Sequence, residues 1–290
     1  MKSISRRKFL QNGALGLAGC ALTSSFIGCQ SSSTIRNENL KFLHVTDTHL
    51  DLGNEKTITW LNMLIKKINN EFSDIDFVLF GGDNFNNNAP NNSDAIKFKK
   101  IVDGLKCPWY SVRGNKEANP KSNREQLNQS DYAKMFFNSN LTILGRDWKL
   151  KKGKYTILGL DTTIEQHNNG VFSPETLDFV ENELKTNPEQ YYILLNHQTY
   201  GNFWGSTDKA DIHKYVLNNI DEIKKRIFSY PNLKLTLSGH KHLNNVNQFK
   251  TVKIISTPGY VVPHNSENDH RFRLIVIKDG NVTQKVVSIV

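Results

Sequence analysis

The chain predicts an α/β protein built on mixed β-sheets, on three observations. Short apolar runs rich in Val, Ile, Leu and Phe recur along it. Amphipathic stretches at helical spacing lie between several of them. No internal repeat or second composition regime breaks the alternation, which favours one domain after the N-terminal segment. Hydrophobic residues make up 38% and charged residues 22% of the 290, which excludes a long disordered chain and a polytopic membrane protein. Three cysteines with no CxxC pair rule out a disulfide-stapled scaffold and point away from structural zinc.

The first element is an address. Ser5-Arg6-Arg7-Lys8-Phe9-Leu10 precedes a weakly apolar stretch from Asn12 to Gly28, an arrangement that resembles a Tat export signal over residues 1–29. That stretch is too short and too rich in Gly, Ser, Thr and Asn for a permanent span, which wants about 20 apolar residues. Leu17-Ala18-Gly19-Cys20 and Phe26-Ile27-Gly28-Cys29 both look like lipoboxes. Cys20 has the better local pattern. Cys29 leaves an apolar region of normal length and precedes a Ser-rich tether over 30–39, so Cys29 is preferred for lipidation. The plain alternative is an exported soluble protein whose cysteines are small apolar residues. The formal charge of +9 drops to +5 once Lys2, Arg6, Arg7 and Lys8 are removed, and no binding stripe stands out in the remainder. Cys107, beside Pro108, is read as a buried small residue.

Leu40–Val45 and Phe77–Phe80 are β-like runs, and Thr57–Phe72 between them carries Ile58, Leu61, Leu64, Ile65 and Ile68 at helical spacing. Further strands are expected at Pro108–Val112, Tyr155–Leu160, Tyr191–Leu195, Leu233–Leu237 and Val252–Ile255. Ser173-Pro174-Glu175 starts a helix that runs to about Lys185, with a capping hydroxyl, Pro at the first position and then an acid. A second long helix is expected over Asp208–Ser229, and Phe272–Ile277 with Val282–Ile289 forms a closing hairpin. The Asn-rich run 86–92 reads as a solvated loop without a role.

Five fragments sit at the ends of expected strands: Asp47-Thr48-His49, Gly81-Gly82-Asp83-Asn84, Gly114-Asn115-Lys116-Glu117, Asn196-His197 and Gly239-His240-Lys241-His242. Each alone is weak. As donor candidates they offer Asp47 and Asp83, the amide oxygen of Asn115 and four imidazoles at the carboxyl ends of strands, where loops of open α/β sheets converge. Burying so many polar groups without metal would leave them unsatisfied. Mixed N/O donors suit Mn, Fe or Zn, and seven donors exceed one tetrahedral site but fit two ions that share a carboxylate.

In this ordered set the chain, over roughly residues 40–278, resembles the calcineurin-like metallophosphoesterase superfamily. The resemblance implies a four-layer α/β/β/α sandwich with two mixed β-sheets, occupying 40–290. It implies one ion on Asp47, His49 and His242, a second on Asn115, His197 and His240, and Asp83 bridging both. It implies hydrolysis of a phosphoester by hydroxide held between the ions. Asp83, Asn115 and Lys116 are the expected catalytic residues. One position departs from the pattern: the family's third motif usually reads GNH, the histidine acting as general acid, and Lys116 stands there. With an ordinary pKa of about 10.4, a lysine binds phosphate as a fixed charge but protonates a leaving group poorly. Esters with acidic leaving groups are therefore expected substrates.

Other residues read more plainly. Asn196 orients its loop, and Lys241 is expected to be a solvated charge. Trp204, with Tyr200 and Phe203, forms either a substrate platform or a hydrophobic cluster under its loop. Trp60 and Trp109 belong to the core. Arg271 would clamp phosphate or, with His264 and His270, simply lie on the surface. His44, His167 and His213 are structural or exposed.

The expected function is a metal-dependent phosphoester hydrolase of the cell envelope, exported by the Tat translocase. A phosphodiesterase is favoured over a phosphomonoesterase or nucleotidase, since loss of the histidine acid hurts poor leaving groups most. Asn86 also stands where purple acid phosphatases carry a Tyr ligand. A non-catalytic envelope lipoprotein that retains the metal site is the reading from another class. Nucleic acid is not an expected partner, and membrane contact is expected only through a lipid on Cys29 or Cys20.

Overall fold

A computed structural model describes residues 39–118, 127–261 and 270–289. The export signal and most of the tether lie outside these residues. Among the described residues no helix is long and apolar enough to cross a membrane.

The chain runs β1 (Asn39–Val45), α1 (Glu55–Glu71), β2 (Phe77–Phe80), α2 (Ser93–Val102), β3 (Trp109–Ser111), α3 (Asn115–Ala118), α4 (Gln129–Phe136), β4 (Thr142–Leu144), β5 (Asp147–Lys152) and β6 (Tyr155–Gly159). It continues through α5 (Pro174–Thr186), β7 (Tyr191–Leu195), α6 (Lys209–Tyr215), α7 (Ile220–Arg226), β8 (Leu233–Ser238), β9 (Asn245–Phe249), β10 (Val252–Ser256), β11 (Arg271–Lys278) and β12 (Asn281–Ser288). Two mixed sheets result, in the orders β12-β11-β1-β2-β3 and β4-β5-β6-β7-β8-β10-β9. The strands β1, β2 and β3 are parallel, as are β6, β7, β8 and β10; antiparallel strands flank them, except at the edge of the first sheet that β3 forms.

Alternation along the strands makes the layers. In β1, Phe42 points into the core between the sheets while Leu43 and Val45 point outward. Between the sheets, Phe42, Phe77, Leu79 and Tyr110 meet Trp148, Ile157, Leu195 and Leu235. Outside the first sheet, Leu61, Leu64 and Ile68 of α1, Phe98 of α2 and Phe136 of α4 cover Val45, Val78 and Phe80. Outside the second, Leu177 and Val180 of α5 and Ile223 of α7 cover Leu158, Tyr192 and Leu194. This is the expected α/β/β/α order. Trp148 ties the halves together, since its Nε1 donates to Ser111 O at 2.9 Å. It packs on bare backbone at Gly159, where a Cβ would run into the indole.

Local signals account for the long helices. Asn54 caps α1 through Lys56 N, and Ser173 Oγ caps α5 by accepting from Thr176 N, with Pro174 next. The expected long helix over 208–229 is two. Asp208 caps α6, but Val216 turns extended and bridges Thr199, and α7 restarts at Ile220. A long-range strand-like pairing overrides the helical periodicity there.

Candidate metal centre

All five motif fragments follow parallel strands and reach the same edge: β1 leads to Asp47, β2 to Asp83, β3 to Asn115, β7 to His197 and β8 to His240. The backbone is bent sharply to aim them. Asp47, His49, Asp83, His240 and His242 all have positive φ, between 45° and 65°, a conformation non-glycine residues seldom adopt. Close approach needs glycine at two points. A Cβ on Gly114 would collide with the backbone N of Asp83, and one on Gly239 with Thr46 Oγ1 and Asp47 Oδ2.

Two clusters of donors result, Asp47 with His49 and His242, and Asp83 with His197 and His240. Within each, one ligand atom per residue lies within 4.8 Å of the others. His242 Nε2 is 3.0 Å from Asp47 Oδ1 and 3.1 Å from His49 Nε2. His197 Nε2 is 3.3 Å from Asp83 Oδ1 and 3.1 Å from Asn115 Oδ1, which brings the amide oxygen into the second cluster. Asp83 faces both ways, with its other oxygen, Oδ2, 3.9 Å from His49 Nε2.

The surrounding groups fix which ring nitrogens face inward. His49 Nδ1 donates to Asn86 Oδ1, His197 Nδ1 to Gly81 O and His240 Nε2 to Lys214 O, each at 2.9 Å. That leaves His49 Nε2, His197 Nε2 and His240 Nδ1 as lone-pair donors. Asn115 is held by Asn168 Oδ1, which accepts from its Nδ2 at 3.1 Å. Glu117 locks the turns: its carboxylate accepts from the backbone N–H groups of Asp83, Asn84 and Gly114.

The electrostatics are those of a cation site. Burial works against the charge on Asp47 and Asp83. Even so, His242 and His197 hold Asp47 well below the usual carboxylate range, and His197, His49 and His240 do the same for Asp83. Burial alone would lower His197, yet Asp83 and Asp47 push it up to about 9, whereas burial and His197 together pull His240 down to about 3. Without a cation, the buried carboxylates are compensated only by a protonated imidazole, chiefly that of His197. Seven convergent N/O donors, two of them anionic, fit a pair of divalent ions better.

The structure also locates residues whose roles were read differently from sequence. Lys241 is not a solvated charge. Its side chain is 16% exposed, with Nζ 3.8 Å from the Tyr215 ring centroid, 4.5 Å from that of Trp204 and 3.3 Å from Asp211 Oδ1. Trp204 belongs to the same clamp, donating from Nε1 to Asp211 Oδ2 at 2.7 Å. Tyr215 in turn packs on the His240 ring, 4.9 Å between centroids. Asn86, in the run given no role, orients His49, a link whose partners are 37 residues apart. Asn196 Nδ2 donates to Gln198 O, as expected of a loop-orienting residue. Lys116 is half-buried at the start of α3, its backbone N–H on Asp83 Oδ1 at 2.7 Å. Arg271 opens β11 opposite Ser288 and is in neither donor cluster; His264 lies outside the described residues. Cys107 is only half-buried, against the outer core of the first sheet.

Comparison with known proteins agrees with this geometry. Residues 40–244 match the model of the calcineurin-like phosphoesterase family. The 3′,5′-cyclic adenosine monophosphate phosphodiesterase CpdA of Haemophilus influenzae is 24% identical over 226 residues, 76% of either chain. The 3′,5′-cyclic-nucleotide phosphodiesterase alr5338 of Nostoc is 22% identical over 268 residues, 86% of this chain and 93% of its own. The crystal structure of a dimetal phosphatase from Danio rerio superposes with a TM-score of 0.68 at 13% identity, over 87% of this chain and 96% of its own. At that identity the likeness speaks for the fold.

Proposed function

The chain belongs to the calcineurin-like phosphoesterase family and is a hydrolytic phosphoesterase, and from that premise we propose that it cleaves phosphodiesters at a dinuclear metal centre. One observation carries the proposal: Asp83 presents one oxygen to each donor cluster. In this reading Asp47, His49 and His242 hold one ion, Asn115, His197 and His240 hold the other, and Asp83 is shared. Ions bound there would supply Lewis acidity towards a phosphoryl group and activate a water. The curated relatives named above are cyclic-nucleotide phosphodiesterases, which supports a diester substrate.

The chain's own groups do the positioning. Asn86, Gly81 O and Lys214 O keep three imidazoles in one tautomer, so their lone pairs face the centre without reorganisation. Glu117 and the Lys116 N–H hold the Asp83 turn at a fixed distance from Asn115. The Lys116 ammonium has no ion pair among the described residues. In this reading it binds a phosphoryl oxygen as a fixed charge, so the leaving group departs with little help from a general acid. The reading extends to export: residues 1–29 as a Tat signal, 30–39 as a tether from a lipidated Cys29 or Cys20, and 40–290 as the hydrolase domain in the cell envelope.

The test is hydrolysis of bis(p-nitrophenyl) phosphate against p-nitrophenyl phosphate by the Mn-loaded chain. The diester is expected to be cleaved faster, and Asp83→Ala to abolish cleavage. A monoester preference would overturn the diester reading, and inertness to both would overturn catalysis. Across aryl diesters, the rate should fall steeply as leaving-group pKa rises, and Lys116→His should flatten that slope. A shallow slope in the parent would remove the fixed-charge role.

A further inference from the structure

Lysines dispersed along the sequence meet in one open groove between α1 and α2. Lys66 of α1, Lys97 and Lys100 of α2 and Lys106 beyond it line a groove of about 530 Å³, together with Asn62 and Asn69. No acid lines it. Neighbouring Lys67 and Lys99 are neutralised by Glu71 and Asp103. The four groove ammonium groups have no hydrogen bond or ion pair among the described residues. Met63, 43% exposed, and Ile96, 54% exposed, stand one helical turn from Lys66 and Lys100. Uncompensated lysines beside exposed apolar side chains match the boundary between phospholipid headgroups and acyl chains.

Position in the fold agrees. Helix α1 joins the parallel neighbours β1 and β2, and α2 joins β2 and β3, so both helices run back against the strands. The groove lies on their middle and C-terminal turns, towards the amino ends of the strands and away from the edge that carries Asp47, Asp83 and Asn115. Strand β1 also starts at that end, at Asn39. Cys29 is ten residues earlier in the sequence, a stretch that spans at most about 35 Å.

We propose that this groove seats the domain on an anionic phospholipid surface and leaves the metal-bearing edge open. The proposal goes beyond phosphoester hydrolysis and does not depend on it. Each lysine near an anionic bilayer contributes about 1 kcal/mol, so four together favour anionic over neutral lipid by roughly a thousand-fold.

The experiment is co-sedimentation of the full chain carrying Cys20→Ser and Cys29→Ser, so that no acyl group takes part. The vesicles contain either equal parts phosphatidylglycerol and phosphatidylcholine, or phosphatidylcholine alone. The parent should prefer the phosphatidylglycerol vesicles. The combined Lys66→Gln, Lys97→Gln, Lys100→Gln and Lys106→Gln variant should lose roughly a thousand-fold of that partition, with an unchanged thermal midpoint and unchanged hydrolysis. Residues 1–29 are common to both chains, so the difference reads the groove. A variant that binds phosphatidylglycerol like the parent would overturn the proposal. So would equal parental binding to both vesicles, or binding of a DNA duplex as tight as that of the vesicles.

Discussion

Removing the Lys241 ammonium should loosen a metal that Lys241 does not touch. In Lys241→Ala the chain loses two cation–π contacts, at 3.8 Å to the Tyr215 ring and 4.5 Å to that of Trp204. The lysine is largely shielded, which puts the pair of contacts at about 2 kcal/mol. Those contacts fasten α6 and the Trp204 loop to the turn between His240 and His242. The adjoining Lys214 carbonyl keeps the His240 Nε2 proton in place, and the Tyr215 ring covers the imidazole. If the clamp's full worth holds α6 down, its loss weakens the second ion's affinity by up to roughly 30-fold, at 1.4 kcal/mol per decade. The first ion, on Asp47, His49 and His242, should be little affected. Calorimetric titration of the metal-free chain with Mn²⁺ resolves the two steps. A second-step affinity within twofold of the parent would refute the coupling. So would an equal loss in both steps, since that signals general unfolding.

Two further outcomes follow from individual contacts. Asn86→Ala removes the acceptor that orients His49 and should cost the first ion about 10- to 100-fold in affinity by chelator competition, while Asn86→Asp, which keeps an acceptor, should restore it; equal loss in both variants would remove the orienting role. Asp147 is 3% exposed, and burial pushes its carboxyl up to about 7 despite hydrogen bonds from Thr176 Oγ1 and the Asp161 N–H. Its folded pKa lies above its unfolded one, so the folded state holds the extra proton in between. Stability from this group is therefore full at low pH and declines as pH rises from about 4 to about 7. Asp147→Asn should match the parent near pH 4 and exceed it by up to about 4 kcal/mol above pH 7 in urea unfolding; parallel pH profiles would contradict this.

Much of the candidate site could be read from sequence because its donor residues follow apolar strands closely, so strand ends and donor residues mark one another. The run Phe77–Phe80 into Gly81-Gly82-Asp83 is the clearest case, and the structure places that turn as expected. What escaped were relations between distant segments. Asn86 meets His49, Lys241 meets Tyr215 and Trp204, and Val216 breaks a helical pattern by bridging Thr199. Neither periodicity nor spacing encodes such pairings. Strands β4 and β9 escaped as well, because they are short and almost wholly exposed, without the alternation a half-buried strand shows. Helix α2 was obscured by the Asn-rich run before it, where Asn91 and Asn92 take positive φ to turn the chain into the helix. The groove lysines look unremarkable in sequence; only the packing of α2 beside α1 brings Lys97 and Lys100 opposite Lys66.

The central claim is a pair of ions sharing Asp83, and anomalous diffraction from Mn-loaded crystals tests it most directly. The account predicts two peaks about 3.5–4 Å apart. One should lie among Asp47, His49 and His242, the other among Asn115, His197 and His240, with a carboxylate oxygen of Asp83 on each. A single peak, or two peaks of which either lacks Asp83, would contradict it.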